Sequence, residues 1–508
     1  MKILLTTLNA KYIHSCLALK YLYGTVTDYD MDVDLKEFTI NNERDYVFGE
    51  IIRGGYDLVC FSCYIWNIEQ IRTLCQDLKK ARPGMGILLG GPEVSFGSRE
   101  FMEKNSWADY IIRGEGEKPF AQFCAELLSE TPELRKVENL TWRSRGRILE
   151  TPEGKLPYMD KLPFPYTYLD VEPDKIIYYE SSRGCPFRCA YCLSAMDTTV
   201  RALSMDRVRR DLGYLMYKNV KQVKFVDRTF NYDRNRANEI WEFLIEKDNG
   251  ITNFHFELCG DMLDSDSFRI LSKARKGLFQ FEIGIQTANP YALHEIQRND
   301  NVSQVLENVA RLVEMDNCHV HVDLIAGLPF DTYRSFEQSF NMTYDAGADN
   351  LQLGFLKLLP GTPIRSMQEK HGYIFREHAP YEIISNKYMS AVDLIKLKMI
   401  ENVLELYHNR GGFRLTLEYL MDELHLRPFN FYERLADYYY SQGFHHAYHK
   451  KEDLYRILYK FAMKHEAYHD GITLKAQQNL SQDLIDTFNP DAVKRFYSQG
   501  WDIKGKGF

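Results

Sequence analysis

The sequence predicts an α/β protein in which a doubly wound parallel sheet comes first, a partial parallel barrel second and a mainly helical region last. Two observations predict the sheets: five strand-and-helix alternations precede residue 130, and six more lie between residues 176 and 356. After Pro363 the strand-like runs fade and amphipathic helical patterns remain. We therefore expect a first domain, a linker, a barrel and a helical C-terminal domain at 1–140, 141–172, 173–365 and 366–508.

Short apolar runs followed by amphipathic stretches predict the strands of the first sheet, at Ile3–Leu5, Val33–Leu35, Leu58–Phe61, Ile87–Leu89 and Tyr110–Ile112. Ligands of such sheets bind at the carboxyl ends of the strands. Polar, aromatic or glycine-rich segments follow four of these strands, at Thr7–Ala10, Ser62–Asn67, Gly90–Glu93 and Gly114–Glu117. The first domain is therefore expected to bind a ligand at this edge.

A stretch that is rich in proline predicts the linker, with Pro157, Pro163, Pro165 and Pro173. The alternation then resumes, and apolar runs predict barrel strands at Ile176–Tyr179, Val223–Val226, Phe254–Leu258, Phe279–Ile285, Val320–Ile325 and Leu351–Leu356. These six units are fewer than the eight of a closed barrel, so the barrel is expected to have an open side.

Composition and charge argue against several classes of protein. The chain has 508 residues and a net charge of −8, so no overall positive field attracts a nucleic acid. No apolar run reaches the roughly 18 residues of a membrane span, and the first residues are typical of a strand rather than a signal peptide. Ten cysteines are too sparse for a disulfide scaffold. We expect a cytoplasmic protein without nucleic-acid or membrane partners.

Three cysteines lie close together in the segment Arg183–Cys192, with the spacing C-x-x-x-C-x-x-C after a predicted strand. Iron–sulfur clusters usually take four cysteine ligands, so three would leave one iron open to a substrate or cofactor. Structural zinc also takes four ligands, and no nearby Cys or His supplies the fourth. Zinc and chance remain the alternatives. The other cysteines are interpreted as packing residues, at Cys16, Cys60, Cys63, Cys75, Cys124, Cys259 and Cys318.

At this loop the chain resembles the radical S-adenosylmethionine enzymes, and motifs at barrel spacing extend the resemblance, at Phe225–Asn231, Glu282–Thr287, Asp323–Pro329 and Leu359–Thr362. The resemblance implies a 4Fe-4S cluster held by Cys185, Cys189 and Cys192. It further implies that S-adenosylmethionine contacts Tyr191, Asp227, Glu282 and Gln286, and that an external reductant of flavodoxin or ferredoxin type supplies single electrons. The alternatives are an exposed salt bridge for Glu282 and a helix cap for Asp227.

The first domain resembles the cobalamin-binding domain that precedes the barrel in the cobalamin-dependent branch of these enzymes. Its segment Gly90–Ser95 lacks the G-x-G-x-x-G pattern, which disfavours a nicotinamide site. The resemblance implies that cobalamin contacts residues at the strand ends, namely Leu8, Asn9, Ser62, Tyr64, Trp66, Asn67, Gly90, Gly91, Pro92, Glu93, Gly114, Glu115 and Gly116.

One departure from the cobalamin pattern concerns the cobalt ligand. The motif D-x-H-x-x-G is absent, and His14 has the wrong neighbours to replace it. We therefore expect neither the cofactor's own base nor a histidine on cobalt, with Trp66 filling the lower face and excluding water. The alternative is that Trp66 is hydrophobic cover for the end of the sheet.

The C-terminal region is rich in Tyr and His, and we expect it to form a lid that shapes the substrate site. Its aromatic residues, such as Tyr438–Tyr440, are interpreted as a helical core, with stacking on a flat substrate as the alternative. A metal site is a further alternative, although no carboxylate or thiol completes a ligand set around His445, His446, His449, His465 and His469.

Together the two resemblances imply a cobalamin-dependent radical S-adenosylmethionine methyltransferase that acts on an unactivated carbon of a small molecule or peptide. One S-adenosylmethionine would methylate Co(I), and a second would give the 5′-deoxyadenosyl radical. The resulting substrate radical would collect the methyl group from methylcobalamin. A rearrangement without methylation, a polar methyl transfer, and a cobalamin or iron–sulfur sensor remain as alternatives.

Overall fold

The computed structural model describes residues 1–464 and 470–498. Backbone contacts divide the chain into two units. The first consists of Met1–Phe281, Lys357–Gln368 and Phe375–Glu382. The second consists of Glu282–Leu356, Glu369–Ile374 and the described part of Ile383–Phe508.

The first sheet has seven strands, in the spatial order β2-β1-β3-β4-β5-β6-β7. Their bounds are β1 Lys2–Asn9, β2 Asp32–Thr39, β3 Leu58–Ser62, β4 Gly86–Gly90, β5 Tyr110–Ile112, β6 Leu140–Ser144 and β7 Arg147–Glu150. Strands β1 to β5 are parallel, and Leu5 lies opposite both Leu35 and Cys60. Because the strand order reverses between β1 and β3, the crevice at their carboxyl ends is a topological switch point, where doubly wound sheets bind ligands.

Helices cover both faces of this sheet, at α1 Leu17–Gly24, α2 Arg44–Gly54, α3 Ile68–Ala81, α4 Pro92–Ser95, α5 Ser98–Lys104 and α6 Glu117–Leu128. Helix α3 shows why they pack there. Its buried residues recur at helical spacing on one face, as Ile68, Ile71, Leu74, Cys75 and Leu78. This face belongs to one hydrophobic cluster, and α6 contributes Phe120 and Phe123 to another.

Strands β6 and β7 form an antiparallel hairpin that pairs with β5. Most of this hairpin lies where the sequence predicts the linker. Its turn uses Arg145 and Gly146, whose φ values of 47° and 75° are left-handed. The strands are short and carry arginines, so their apolar alternation is too brief to predict them. The irregular connection therefore begins after Glu150 rather than at residue 141.

The second sheet has six strands, in the order β15-β14-β13-β12-β11-β8. A short antiparallel pair, β9 and β10, lies outside it. The bounds are β8 Ile176–Tyr179, β9 Ser182–Arg183, β10 Arg201–Ala202, β11 Gln222–Phe225, β12 Asn253–Leu258, β13 Phe279–Gln286, β14 Cys318–Ala326 and β15 Asn350–Phe355. Every predicted barrel strand is confirmed within two residues at each end.

Helices follow these strands, at α7 Met205–Tyr217, α8 Arg234–Glu246, α9 Ser265–Leu271, α10 Pro290–Glu295, α11 Val302–Glu314 and α12 Tyr333–Asp345. Side-chain caps fix several of their starts, and Asp233 accepts a hydrogen bond from the amide of Arg236 at α8. Inside the first unit, a buried aromatic cluster packs beside β11 and β12. Phe256 lies 4.5 Å from Phe225 and 4.3 Å from Phe230, between ring centroids.

The chain after residue 363 is mainly helical, which confirms the prediction. Its elements are α13 Pro363–Ser366, α14 Gln368–His371, β16 Ile374–Phe375, β17 Ile383–Ser385, α15 Ala391–Leu404, α16 Arg414–Glu423, α17 Pro428–Ser441, α18 Lys451–Lys464, α19 Asp470–Thr487 and α20 Pro490–Ser498. Phe431, Tyr432 and Tyr439 are buried, as a helical core requires, whereas His445 and His446 are exposed. His465 and His469 lie outside the described residues. In the described part of the chain, no helix is both long enough and apolar enough to span a bilayer.

Candidate functional site

The three cysteines of the predicted cluster loop follow β8 and β9 in the first unit. Cys185 is buried, whereas Cys189 and Cys192 are half-buried. The Cys185 amide donates a hydrogen bond to the Asp197 carbonyl, and the Cys192 amide donates one to the Cys189 carbonyl, both at 3.0 Å. Pairing of β9 with β10 closes the loop, because Arg183 lies opposite Arg201. The backbone therefore gathers the three thiols on one closed loop.

Gly184 is required by the shape of this loop. Its φ is +99°, and a Cβ there would lie 2.3 Å from the Thr199 carbonyl oxygen. Three cysteines on one loop match, in donor type and number, a cluster with one iron that no cysteine binds. Among residues 1–464 and 470–498, no three His, Cys, Asp or Glu side chains converge closely enough to hold a metal ion, so the three thiols share a loop without being arranged as a ligand set.

Three glutamates surround the guanidinium of Arg183, two residues before Cys185. Nη1 lies 2.8 Å from Glu115, and Nη2 lies 2.8 Å from Glu117 and 2.7 Å from Glu180. Burial opposes ionisation of Glu117, but Arg183 outweighs it and holds the pKa of Glu117 below its usual value. Burial also opposes the charge of Arg183, yet the carboxylates raise its pKa well above normal. The group is therefore a buried network of paired charges.

Arg201 completes this network by pairing with Glu115 as well. Glu115 lies between Gly114, which is exposed with a φ of +65°, and Gly116, which precedes α6. The loop after β5, predicted to contact cobalamin, is thus tied to the cysteine loop within one unit. The sequence contained Arg183 and Glu117 as parts of the two motifs. Nothing in their spacing showed that they pair.

Asp227, predicted to contact S-adenosylmethionine, is 1% exposed and supports the start of the cysteine loop. Its carboxylate accepts hydrogen bonds from the amide and hydroxyl of Ser181 and from the hydroxyl of Ser182, at 2.6 to 2.8 Å. Burial raises the pKa of Asp227 to about 6, although these hydrogen bonds oppose the shift. Asp227 does not cap a helix. Direct contact with the cofactor stays a prediction, because all three bonds are internal.

In the second unit, Glu282, Gly284 and Gln286 share the half-buried face of β13. Gln286 has a left-handed φ of 67°, and its amide folds over Gly284, where a Cβ would lie 2.1 Å from Nε2. Its Oε1 is buried without a hydrogen-bond partner in the described part of the chain. An orphaned acceptor is costly unless a ligand supplies a donor. It therefore fits the hydroxyl or amino groups of S-adenosylmethionine. Tyr191 is half-buried, and its contact with adenine stays a prediction.

At the switch point of the first sheet, an exposed tryptophan stacks on a half-buried tyrosine. Trp66 is 44% exposed and stacks on Tyr64, with ring centroids 4.5 Å apart and planes 5° apart. Its Nε1 donates a hydrogen bond to the Leu8 carbonyl at 3.1 Å. The indole is therefore fixed in orientation while one surface stays open, which suits a flat ligand. His14 instead lies 2.8 Å from the hydroxyl of Tyr178.

Asn67 lies beneath this aromatic pair and is fully buried. Its Nδ2 donates to Thr7 and to the carbonyls of Leu8 and Ser62, and its Oδ1 accepts from the Tyr64 amide. Asn9, nearby on β1, donates to Glu37 at 2.6 Å. These predicted cobalamin residues use their side chains to hold the strand ends together.

The segment after β4 turns sharply towards α4, which begins at Pro92. Gly90 ends β4, and Gly91 has a φ of +101°, where a Cβ would lie 2.5 Å from the Cys63 carbonyl oxygen. Glu93 is 8% exposed and accepts a hydrogen bond from the Tyr381 hydroxyl at 2.8 Å. Burial raises the pKa of Glu93.

A buried hydrogen-bond chain in the second unit was not foreseen from the sequence. His371 is 1% exposed, with Nε2 3.0 Å from Glu295 and Nδ1 3.0 Å from the Tyr388 hydroxyl. A hydrogen bond from Lys370 lowers the pKa of Glu295. The imidazole therefore links the carboxylate of Glu295 at one ring nitrogen to the hydroxyl of Tyr388 at the other. The sequence signalled this hydrogen-bond chain only through the high histidine content of the C-terminal region. That content does not show that His371 pairs with Glu295 and Tyr388.

Family models match three stretches of the chain. Residues 3–124 match the B12 binding domain, residues 179–343 match the Radical SAM superfamily, and residues 369–506 match a family described as a protein of unknown function, DUF4080. The first two matches occur in the predicted order. They confirm a B12-binding domain followed by a radical S-adenosylmethionine domain.

Curated relatives are similar over much of the chain. The cobalamin-dependent radical SAM methyltransferase TokK of Streptomyces tokunonensis is 24% identical, over 75% of this chain and 61% of that protein. The 2-(S-pantetheinyl)-carbapenam-3-carboxylate methyltransferase of Streptantibioticus cattleyicolor is 25% identical, over 63% of this chain and 50% of that protein. The chain thus spans between half and two thirds of the length of these relatives.

Solved structures share the fold. The cobalamin-dependent S-adenosylmethionine radical enzyme OxsB, with aqua-cobalamin and S-adenosylmethionine bound, superimposes with a TM-score of 0.67 at 12% identity, covering 98% of this chain and 84% of that one. The methyltransferase TsrM from Kitasatospora setae, with cobalamin and a [4Fe-4S] cluster bound, gives 0.61 at 15% identity, covering 75% and 76%. At these identities the likeness shows a common architecture.

Proposed function

Because the chain joins a B12-binding domain to a radical S-adenosylmethionine domain, we propose that it is a cobalamin-dependent radical enzyme that methylates an unactivated carbon of a small molecule or peptide. The observation that carries the proposal is the tie between the two loops. The cysteine loop and the loop after β5 share the ion pairs of Arg183 with Glu115 and Glu117. Methyltransferases among the relatives favour methyl transfer over the alternatives.

The side chains have distinct tasks in this proposal. With both groups bound, the cluster supplies an electron for cleavage of S-adenosylmethionine, and cobalamin carries the methyl group. Cys185, Cys189 and Cys192 hold the cluster. Gln286 offers its unpartnered Oε1 to a donor group of S-adenosylmethionine. Trp66 would pack against cobalamin with an indole that has no good metal-ligating atom, and would exclude water from that contact.

Two further features belong to the proposal. The electrons come, in this proposal, from an external protein of flavodoxin or ferredoxin type that reduces the cluster. A reducing, cytoplasmic location suits ten cysteines that are all present as thiols.

The test is anaerobic incubation of cofactor-reconstituted protein with a reductant, an extract of small molecules and S-adenosylmethionine labelled in its methyl group. The expected result is a labelled product together with 5′-deoxyadenosine and S-adenosylhomocysteine. Formation of 5′-deoxyadenosine alone would indicate rearrangement, and S-adenosylhomocysteine alone would indicate polar transfer. If reduced protein cleaves no S-adenosylmethionine at all, the proposal is wrong and a sensor is favoured.

A further inference from the structure

A cationic cleft lies on the first unit, and none of its lining residues was predicted to contact a cofactor. Its volume is about 540 Å³. Helices α3 and α5 form one side, and residues 360–365 form the other. Its walls include three cations, one carboxylate and two aromatic rings, namely Arg72, Lys104, Arg365, Glu100, Phe96 and Phe101.

Arg365 is held rigidly at this cleft. Its guanidinium carbon lies 5.2 Å from the ring centroids of both Phe375 and Tyr381. Nη1 donates a hydrogen bond to the Leu358 carbonyl at 2.8 Å. In the described part of the chain, no carboxylate lies within ion-pair distance of this guanidinium. A stacked arginine of this kind loses little side-chain entropy on binding, and its remaining N–H groups suit a phosphate.

The other two cations of the lining differ in whether they have an ion-pair partner. Lys104 is exposed, and the described residues include no ion-pair partner for it. Arg72 lies over the Phe101 ring at 5.9 Å and pairs with Glu69 at 3.2 Å, outside the cleft lining. Glu69 therefore balances the charge of Arg72, and Glu93 interacts electrostatically with Arg365 and Arg72. Arg365 and Lys104 are the two lining cations that have no ion-pair partner among the described residues, and Glu100 is the carboxylate of the lining. Two unpaired cations on a chain with a net charge of −8 attract anions locally.

The wall of the cleft depends on a close backbone approach. Gly361 has a φ of +86°, and a Cβ there would lie 2.6 Å from the Phe96 ring. Residues 360–361 therefore pass directly over this ring, and Phe96 and Phe101 form an aromatic surface beside the three cations.

We propose that this cleft binds the phosphate monoester group of a ligand whose adjoining aromatic or apolar part packs on Phe96 and Phe101. A phosphate monoester carries close to two negative charges at neutral pH, which suits the two lining cations that have no ion-pair partner, Arg365 and Lys104. Arginine forks bind phosphate through paired N–H donors, and lysine binds it as a point charge. The site is independent of the proposed methyl transfer, because it uses none of the predicted cofactor residues.

The experiment measures binding of phenyl phosphate to the cofactor-loaded full chain by calorimetry and phosphorus NMR. Benzyl alcohol and inorganic phosphate are the comparison ligands. We expect saturable binding of phenyl phosphate that weakens with salt, and weaker binding of both comparison ligands. Absence of saturable binding would refute the site. Equal affinity for inorganic phosphate would refute the aromatic part of the proposal.

Four variants locate the binding. Lys104→Glu should weaken binding at least fivefold, and Arg365→Gln at least tenfold, whereas Glu100→Gln should strengthen it about twofold. Lys80→Glu reverses an exposed charge on α3 away from the cleft and should leave affinity unchanged. Lys104 is exposed, so its variant tests the site even if Arg365→Gln fails to fold. Equal affinities of the Lys104→Glu and Lys80→Glu proteins would overturn the proposal.

Discussion

The cysteine loop and the aromatic edge of the first sheet lie in the same unit but are built on opposite principles. In the loop, three thiols are the proposed cluster ligands and buried ion pairs hold the backbone. At the edge, the polar side chain of Asn67 is sealed inside and an exposed indole faces outward. One region is suited to bind through donor atoms, the other through shape. Replacing a thiol in the loop should therefore abolish cluster binding, whereas replacing a ring at the edge should only reduce the affinity for cobalamin.

The largest expected effect concerns the donors themselves. Cys189→Ala should abolish the visible absorption of the cluster and the formation of 5′-deoxyadenosine, because two thiols are too few to hold a 4Fe-4S cluster. Cobalamin should still bind. Iron content, visible spectra and product analysis after anaerobic reconstitution provide the measurement. The matched control is Cys318→Ala, which removes another partly buried thiol, on β14, and should keep the iron. Full iron content in Cys189→Ala would show that the cysteine loop does not bind the cluster through its thiols.

The next effect concerns the ion pairs behind the loop. Arg183→Met leaves the buried carboxylates of Glu117 and Glu180 without their common partner, while Glu115 keeps Arg201, and it should lower the free energy of unfolding by about 3–5 kcal/mol. Denaturant unfolding of the cofactor-free protein measures it. The control is Arg209→Met, because Arg209 and Glu239 are each 43% exposed and such pairs contribute about 1 kcal/mol or less. Similar losses in the two variants would mean that the network does not hold the loop.

A pH-dependent effect of intermediate size belongs to Asp227. Burial raises its folded pKa to about 6 from the ordinary 3.8, so the folded chain holds this proton more tightly than the unfolded chain. Its contribution to stability is full below pH 3.8 and is lost as pH rises through about 6. Two pKa units correspond to about 3 kcal/mol. The stability of the native protein should thus fall relative to Asp227→Asn between these pH values. If the difference in unfolding free energy between the native protein and Asp227→Asn does not change with pH, the pKa of Asp227 is not raised.

The smallest effect is expected at the aromatic edge. Trp66→Ala should weaken binding of hydroxocobalamin about tenfold, since loss of an aromatic contact costs about 1.4 kcal/mol. Trp66→Phe should lose less, because it keeps a ring on Tyr64. Titration followed by visible absorbance measures the affinities. Tyr158→Ala removes a ring that is 79% exposed and should change nothing. If Trp66→Ala binds as tightly as native protein, Trp66 only covers the sheet.

The sequence predicted most of the fold because apolar periodicity reports burial directly. The parallel strands are confirmed, and the short hairpin β6–β7 was missed because its pairing with β5 outweighs a weak local pattern. The cysteine loop was predictable because its ligands are contiguous. The partners of Arg183 and His371 were not, since Glu117 and Glu295 are brought to them only by folding. Asn67 was placed correctly at a strand end, but its complete burial depends on contacts that spacing alone does not show.

Pairing of Ser182–Arg183 with Arg201–Ala202 has a practical consequence for protein engineering. A decapeptide copied from Arg183–Cys192 would omit the returning strand and the Asp197 carbonyl that anchors the first cysteine. The smallest transplantable module therefore runs from Ser182 to Ala202. Any host scaffold must also offer acidic groups to neutralise the two arginines. Without them, the transplanted loop would lack the ion pairs that hold it closed.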